Sequence, residues 1–264
     1  MQPIINIATR AARRAGALML QRIDRLDTLK VAEKGIGNYV SDVDKSAEST
    51  IIETIQKAYP EHTLLSEESG QTPQESDYLW IIDPLDGTNN FIHGNPNFCI
   101  SIAIQYRGRT EHAVIYDAIR DELFSATRGQ GAKLNDHRIR VSQRNKLEGA
   151  TISTSLTHAT DQYAATFFAS QHSLYEQHVA LRRSGSIALD LAYVAAGRLD
   201  ASYTLGAQRW DIEAGLLLVR EAGGLASDLN GGESNISEGE LLAGNPKSLK
   251  HLLQTLRPHY TKKS

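Results

Sequence analysis

One segment constrains this chain more than any other: Trp80-Ile81-Ile82-Asp83-Pro84-Leu85-Asp86-Gly87-Thr88-Asn89-Asn90-Phe91. Its apolar start reads as a buried strand that delivers Asp83 to its carboxyl end. Pro84 fixes one backbone angle, and Gly87 permits a sharp turn into a helix start. Two carboxylates and the Leu85 carbonyl then surround one point. All are hard oxygen donors, which suit Mg²⁺ rather than zinc. The N–H groups of Gly87 and Thr88 would face that point from a helix N-terminus, a natural phosphate seat. Asp-Pro or Asp-Gly alone is an ordinary turn pair; the whole segment behind an apolar strand carries more information.

Periodicity predicts the surrounding framework. Residues 3–23 read as a first helix, with Ile4, Ile5, Ala8, Ala11, Ala12, Ala15, Leu18 and Met19 on one stripe. Residues 42–58 read as a second, with Ser41 as its cap and Asp44 completing a capping box. From His62 the period shortens to short strands: Thr63 to Leu65, Leu79 to Ile82, Phe98 to Gln105, Ala113 to Tyr116 and Glu122 to Thr127. The second half alternates. A strand near Thr151, a helix from Ala159 to Gln171, a helix from Ile187 to Ala196, a strand from Ala201 to Tyr203 and a helix from Ile212 to Ala222 follow in turn. Gly223-Gly224 ends that last helix before another strand. The expectation is an α+β or α/β protein, residues 1–264 as one domain with lobes 1–148 and 149–264.

Other function classes are excluded early. No run of about 18 apolar residues exists, so no ordinary membrane span is expected. With 28 basic and 31 acidic residues the formal net charge is −3, so no global basic field attracts nucleic acid, and no direct sequence-specific nucleic-acid binding is expected. The single cysteine, Cys99, rules out an intramolecular disulfide and a Cys-based zinc site, consistent with a cytoplasmic protein.

Further acids stand at the ends of elements. Glu67 and Glu68 follow the Leu64-Leu65 strand, either as a solvated loop or as site residues. Asp211 precedes the Ile212 helix as an N-cap or a ligand, and Asp44 has a comparable double reading. Carboxylates that converge in one cleft repel one another unless a cation compensates them.

The chain resembles the inositol monophosphatase family, Mg²⁺-dependent and lithium-sensitive phosphatases, and in particular its bacterial SuhB-type members. The signature W-x-x-D-P-[IL]-D-G-T-x-N-F appears as Trp80 to Phe91. A second appears as Trp210-Asp211-Ile212-Glu213-Ala214-Gly215 with Glu221-Ala222-Gly223-Gly224, and a third as Ser66-Glu67-Glu68-Ser69. The likeness extends to Arg128 to Ala132 and Leu189 to Gly197. It implies a layered αβαβα sandwich, a homodimer, and two or three Mg²⁺ ions held by Glu67, Asp83, the Leu85 carbonyl, Asp86 and Asp211. It implies catalytic roles for Glu67, Thr88 and Asp44, with Asp86, Gly87, Thr88, Asn89, Arg182 and Asp211 contacting substrate. His93 reads as an accessible loop histidine.

Two departures bear on substrate. Thr204 stands where inositol-preferring relatives place a Glu, and Ile187 stands where relatives carry a small Ala. The implied activity is hydrolysis of inositol 1-phosphate and related polyol or sugar phosphates by metal-activated water. Fructose 1,6-bisphosphate, 3′-phosphoadenosine 5′-phosphate and histidinol phosphate are alternative substrates within the same fold. A different class of role is transcription antitermination with RNA polymerase and its factors, as SuhB-type proteins perform. No Ser, Cys or His has a triad-like context, so direct attack by water is expected; phosphorylation of Asp83 or Asp86 is the competing route.

Overall fold

The computed structural model describes residues 3–35, 38–157 and 161–260. Helix α1 (Pro3–Ile23) is followed by a ribbon of β1 (Val31–Gly35) and β2 (Asn38–Ser41), then by α2 (Asp42–Ala58). Strands β3 (Thr63–Ser66), β4 (Gly70–Gln71) and β5 (Tyr78–Asp86) lead to the short helix α3 (Thr88–Ile92). A meander follows: β6 (Cys99–Tyr106), β7 (Arg109–Asp117), β8 (Glu122–Thr127), β9 (Gly131–Leu134) and β10 (His137–Arg138). The remainder comprises β11 (Thr151–Leu156), α4 (Asp161–Glu176), β12 (Ala180–Arg182), α5 (Ile187–Ala195), β13 (Ala201–Leu205), α6 (Arg209–Glu221), β14 (Leu225–Ser227), β15 (Glu240–Gly244) and α7 (Pro246–Leu256).

Two sheets organise these elements. The larger runs β10-β9-β8-β7-β6-β5-β3-β4, and the smaller β12-β11-β13-β15-β14. Three apolar clusters stack them into five layers. The alanine seam of α1 and the Val43, Ala47, Ile51 and Ile55 stripe of α2 cover one face of the large sheet, through Trp80, Ile82, Ile100 and Ile102. Ile81, Ala103 and Ile115 on its other face meet α5 and α6, which also touch Leu241 and Ala243 of the small sheet. The outer face of the small sheet packs Tyr203 and Leu242 on Phe167 of α4 and Leu252 of α7. This is the expected αβαβα sandwich. A helix buried between two sheets must be apolar all round, and eight residues of α5 are buried, Asp190 among them. Gly215 lets α6 lie against α5, since a Cβ there would stand 2.5 Å from that of Leu191.

Three expectations shift. The strand predicted to end near Asp83 continues to Asp86 as a buried run. Asp83 pairs with Ser101 and Asp86 with Cys99, so β5 carries an extra residue there. Pro84 sits in that bulge, where a missing N–H is tolerated. Helix α6 starts at Arg209, one turn before Ile212, because the Asp211 carboxylate accepts the Gln208 N–H at 2.7 Å. Asp211 is therefore its third residue, not its N-cap. The expected start of the fourth helix at Ala159 lies outside the described residues, as do residues 1 and 2. That helix runs past Gln171 to Glu176 because Leu174 is still buried in the core.

Candidate active site

Sheet topology brings the acids together. Strands β3 and β5 are parallel neighbours, with Ser66 opposite Ile82, so their carboxyl ends lie side by side. The Glu67 N–H donates to the Ile82 carbonyl at 3.2 Å, which seats Glu67 next to Asp83. The bulge turns Asp86 toward the N-terminus of α5. There its Oδ2 accepts the Ser186 hydroxyl at 2.6 Å and the Ala188 N–H at 2.7 Å. Asp83 Oδ1 accepts the Leu85 N–H at 3.0 Å.

Burial and mutual charge set the electrostatics of these groups. Burial pushes the Asp83 carboxyl well above its ordinary value, and the charges of Glu67, Asp86 and Asp211 push it further. Asp211 is raised by burial and then by Asp86 and Glu67. Asp86 is raised by burial, against the opposing pull of the Ser186 hydroxyl and the α5 backbone N–H groups. Four acids thus share one region where each disfavours the ionisation of another.

Asp44 completes the site from α2. One of its oxygens accepts the Ser41 N–H at 2.8 Å and the Ser41 hydroxyl at 2.6 Å, which is the expected capping box. The other accepts the Thr88 hydroxyl at 2.7 Å. Thr88 also lies 3.1 Å from the Leu85 carbonyl. Its single proton is committed inward, so the hydroxyl oxygen keeps lone pairs for a proton arriving from outside. Burial raises the Asp44 carboxyl, and the Ser41 and Thr88 hydrogen bonds work against that rise.

Gly87 is the N-cap of α3 with φ +98°, and a Cβ there would meet the Asn97 carbonyl at 3.0 Å. Gly87→Ala should therefore lower stability by about 1 kcal/mol or more, through strain at positive φ and crowding. Thermal melting of the two proteins checks this; an unchanged midpoint would refute it.

Among the described residues, no group of three or more His, Cys, Asp or Glu side chains stands, as placed, where it could hold a metal ion. The donor set nevertheless fits a hard divalent cation. It consists of carboxylates and one carbonyl, and the mutual repulsion just described is what a cation would relieve.

A model of the inositol monophosphatase family matches residues 1–261. The chain belongs to the inositol monophosphatase family. Its relatives include Nus factor SuhB of Pseudomonas aeruginosa, 50% identical over 264 residues, with 98% of this chain and 97% of the relative covered. Among solved structures it resembles the extragenic suppressor protein SuhB of Bartonella henselae, with TM-score 0.93, 40% identity and coverage of 97% and 99%. It also resembles an inositol monophosphatase from Anabaena (Nostoc), with TM-score 0.84, 35% identity and coverage of 96% and 94%. Inositol monophosphatase family members are in general metal-dependent phosphatases.

Within this family member, the remaining expected residues divide. Asn89 is exposed on α3, and its carbonyl lies 2.7 Å from His93 Nδ1; His93 itself is exposed, as expected. Arg182 is exposed on edge strand β12, its guanidinium donating to the Leu181 carbonyl at 2.9 Å rather than to the acid cluster. Thr204 is 2% exposed within β13, and Ile187 is buried at the start of α5. Sequence reasoning missed Ser186 and Asn90. The Asn90 amide ties α3 to the Asn97 and Ser184 carbonyls at 2.6 and 2.8 Å. Asn90 had a signal, as the fixed Asn of the Trp80 to Phe91 signature, whereas nothing in the sequence sets Ser186 apart from an ordinary loop polar group.

Proposed function

We propose that this chain hydrolyses monophosphate esters of small polyols and sugars, inositol 1-phosphate among them, in the cytoplasm and as a homodimer. One observation carries the reading: a threonine hydroxyl whose proton is held by a buried Asp, beside four mutually repelling acids and a helix start. Glu67, Asp83, the Leu85 carbonyl, Asp86 and Asp211 would hold two or three Mg²⁺ ions. When bound, Mg²⁺ supplies Lewis-acid polarisation and a lowered water pKa.

The protein's own groups do the rest. The N–H groups of Gly87 and Thr88 bind phosphate oxygens at the helix start. Thr88 orients the attacking water through its free lone pairs, and Glu67 accepts the water's proton. The start of α5 holds Asp86 Oδ2 with two hydrogen bonds, which works against its use as a nucleophile. Asn89 and Arg182 contact substrate beyond the phosphate, and Asp211 faces the leaving oxygen. Buried Thr204 offers no charged contact to a polyol, which favours a substrate range wider than inositol 1-phosphate alone.

A panel of inositol 1-phosphate, glycerol 2-phosphate and fructose 1,6-bisphosphate, assayed with Mg²⁺ and with excess chelator, tests this. Phosphate release should depend on Mg²⁺ and fall in lithium; full activity in chelator would end the reading. The names of the SuhB relatives favour a second role, binding to the transcription machinery. Retention of RNA polymerase or its factors by the immobilised chain would support it.

A further inference from the structure

Helix α2 carries a second buried carboxylate that the proposed chemistry does not use. Glu48 lies one helical turn beyond Asp44, on the same face, and is 6% exposed. Burying a carboxylate costs folding free energy unless its oxygens are hydrogen-bonded. The partners of Glu48 are a hydroxyl and a backbone N–H rather than a cation. Its Oε2 accepts both the Ser66 hydroxyl and the Glu68 N–H, the latter at 3.0 Å.

Those two donors flank Glu67. The Glu67 N–H is itself tied to Ile82 of β5 at 3.2 Å. The turn is therefore fixed to the sheet at its centre and to α2 on both sides. We propose that Glu48 is a positioning residue, holding the Ser66–Glu68 turn so that Glu67 is presented to the acid cluster in one place. This rests on the reading of Glu67 as a metal ligand.

The consequence is a shared template. Asp44 sets the Thr88 hydroxyl and Glu48 sets the Glu67 turn. Both project from one rigid helix, about 6 Å apart along its axis at four residues of separation. The two groups assigned to the water are thereby registered to each other through α2. Such registration matters because a displacement of about 1 Å can cost about 100-fold in rate.

The test uses Mn²⁺ binding to the full chain, read by electron paramagnetic resonance, beside steady-state kinetics. Glu48→Ala and Glu48→Asp, which remove or withdraw the acceptor, should each weaken Mn²⁺ binding about tenfold and lower kcat by about 10- to 100-fold, with KM nearly unchanged. Since one oxygen takes both hydrogen bonds, Glu48→Gln can replace it with an amide oxygen. That variant should stay within about threefold of the parent in both measurements.

Equal losses in Glu48→Gln and Glu48→Ala would overturn the hydrogen-bond account. Parental Mn²⁺ binding in Glu48→Asp would overturn it too, even if Glu48→Ala fails to fold. Glu67→Ala separates the two levels. If it binds Mn²⁺ like the parent, the reading of Glu67 fails. If it weakens binding while Glu48→Asp does not, only the positioning role fails.

Discussion

Asp83→Asn should lower turnover by about a thousandfold or more and, in chelator, raise the melting temperature. The two effects have one cause. Asp83 is buried among the charges of Glu67, Asp86 and Asp211, which suits a cation and harms the metal-free fold. Loss of a carboxylate that stabilises bound metal removes several kcal/mol from the transition state, and each 1.4 kcal/mol is tenfold in rate. Removing the buried negative charge should stabilise the metal-free protein by about 1 kcal/mol or more, or about 2–4 °C for a chain of this size.

The sign follows from linkage. A carboxyl raised above 3.8 in the folded state binds its proton more tightly there than in the unfolded chain. Its penalty is absent at low pH, where both states are protonated. Stability then falls as pH rises through the elevated value. Asp190, raised by burial to about 7, contributes in the same direction between 3.8 and about 7. Metal-free stability of the parent should therefore decline from about pH 4 to about pH 7, the window over which Asp190 titrates, and Asp83→Asn should remove the share of the decline that the raised Asp83 carboxyl adds. Melting curves in chelator across this range are decisive. An Asn variant that melts lower at neutral pH, or that keeps its turnover, contradicts the assignment.

Much of this site was legible in the sequence because acids at element ends leave a linear trace. Ser41 and Asp44 read as a capping box, and the structure contains that box with Asp44 turned to a second use. The strand before Asp83 announced itself by its apolar run. Its bulge did not, since an extra residue in a ladder depends on the partner strand and not on local composition. Asp211 misled in a similar way: a helix-starting Asp can be N-cap or third residue, and only the Gln208 N–H decides. Helix α7 was missed although Asn245-Pro246 is a good start, with Asn245 Oδ1 accepting the Lys247 and Ser248 N–H groups at 3.0 Å. Glu48 was invisible for a deeper reason. Its partners lie 18 and 20 residues away, joined to it only by the packing of α2 on the sheet.

Thr88→Ala should lower kcat by about 100- to 10,000-fold, the usual range for a group that orients or moves a proton in the transition state. KM should change little, because the backbone N–H of residue 88 remains to hold phosphate. Thr88→Ser should recover most of the loss, since it restores a hydroxyl 2.7 Å from Asp44 without the methyl group. A structural explanation predicts otherwise. Losing one hydrogen bond to a buried carboxylate costs about 1.5–3 kcal/mol of stability, and that loss would appear in melting while leaving kcat per folded molecule intact. Measuring both quantities on the same preparations distinguishes the two. If Thr88→Ala melts lower yet turns over like the parent once folded, Thr88 only braces Asp44. If kcat collapses and Ser restores it, the hydroxyl acts on the water, and the committed direction of its proton is what equips it to do so.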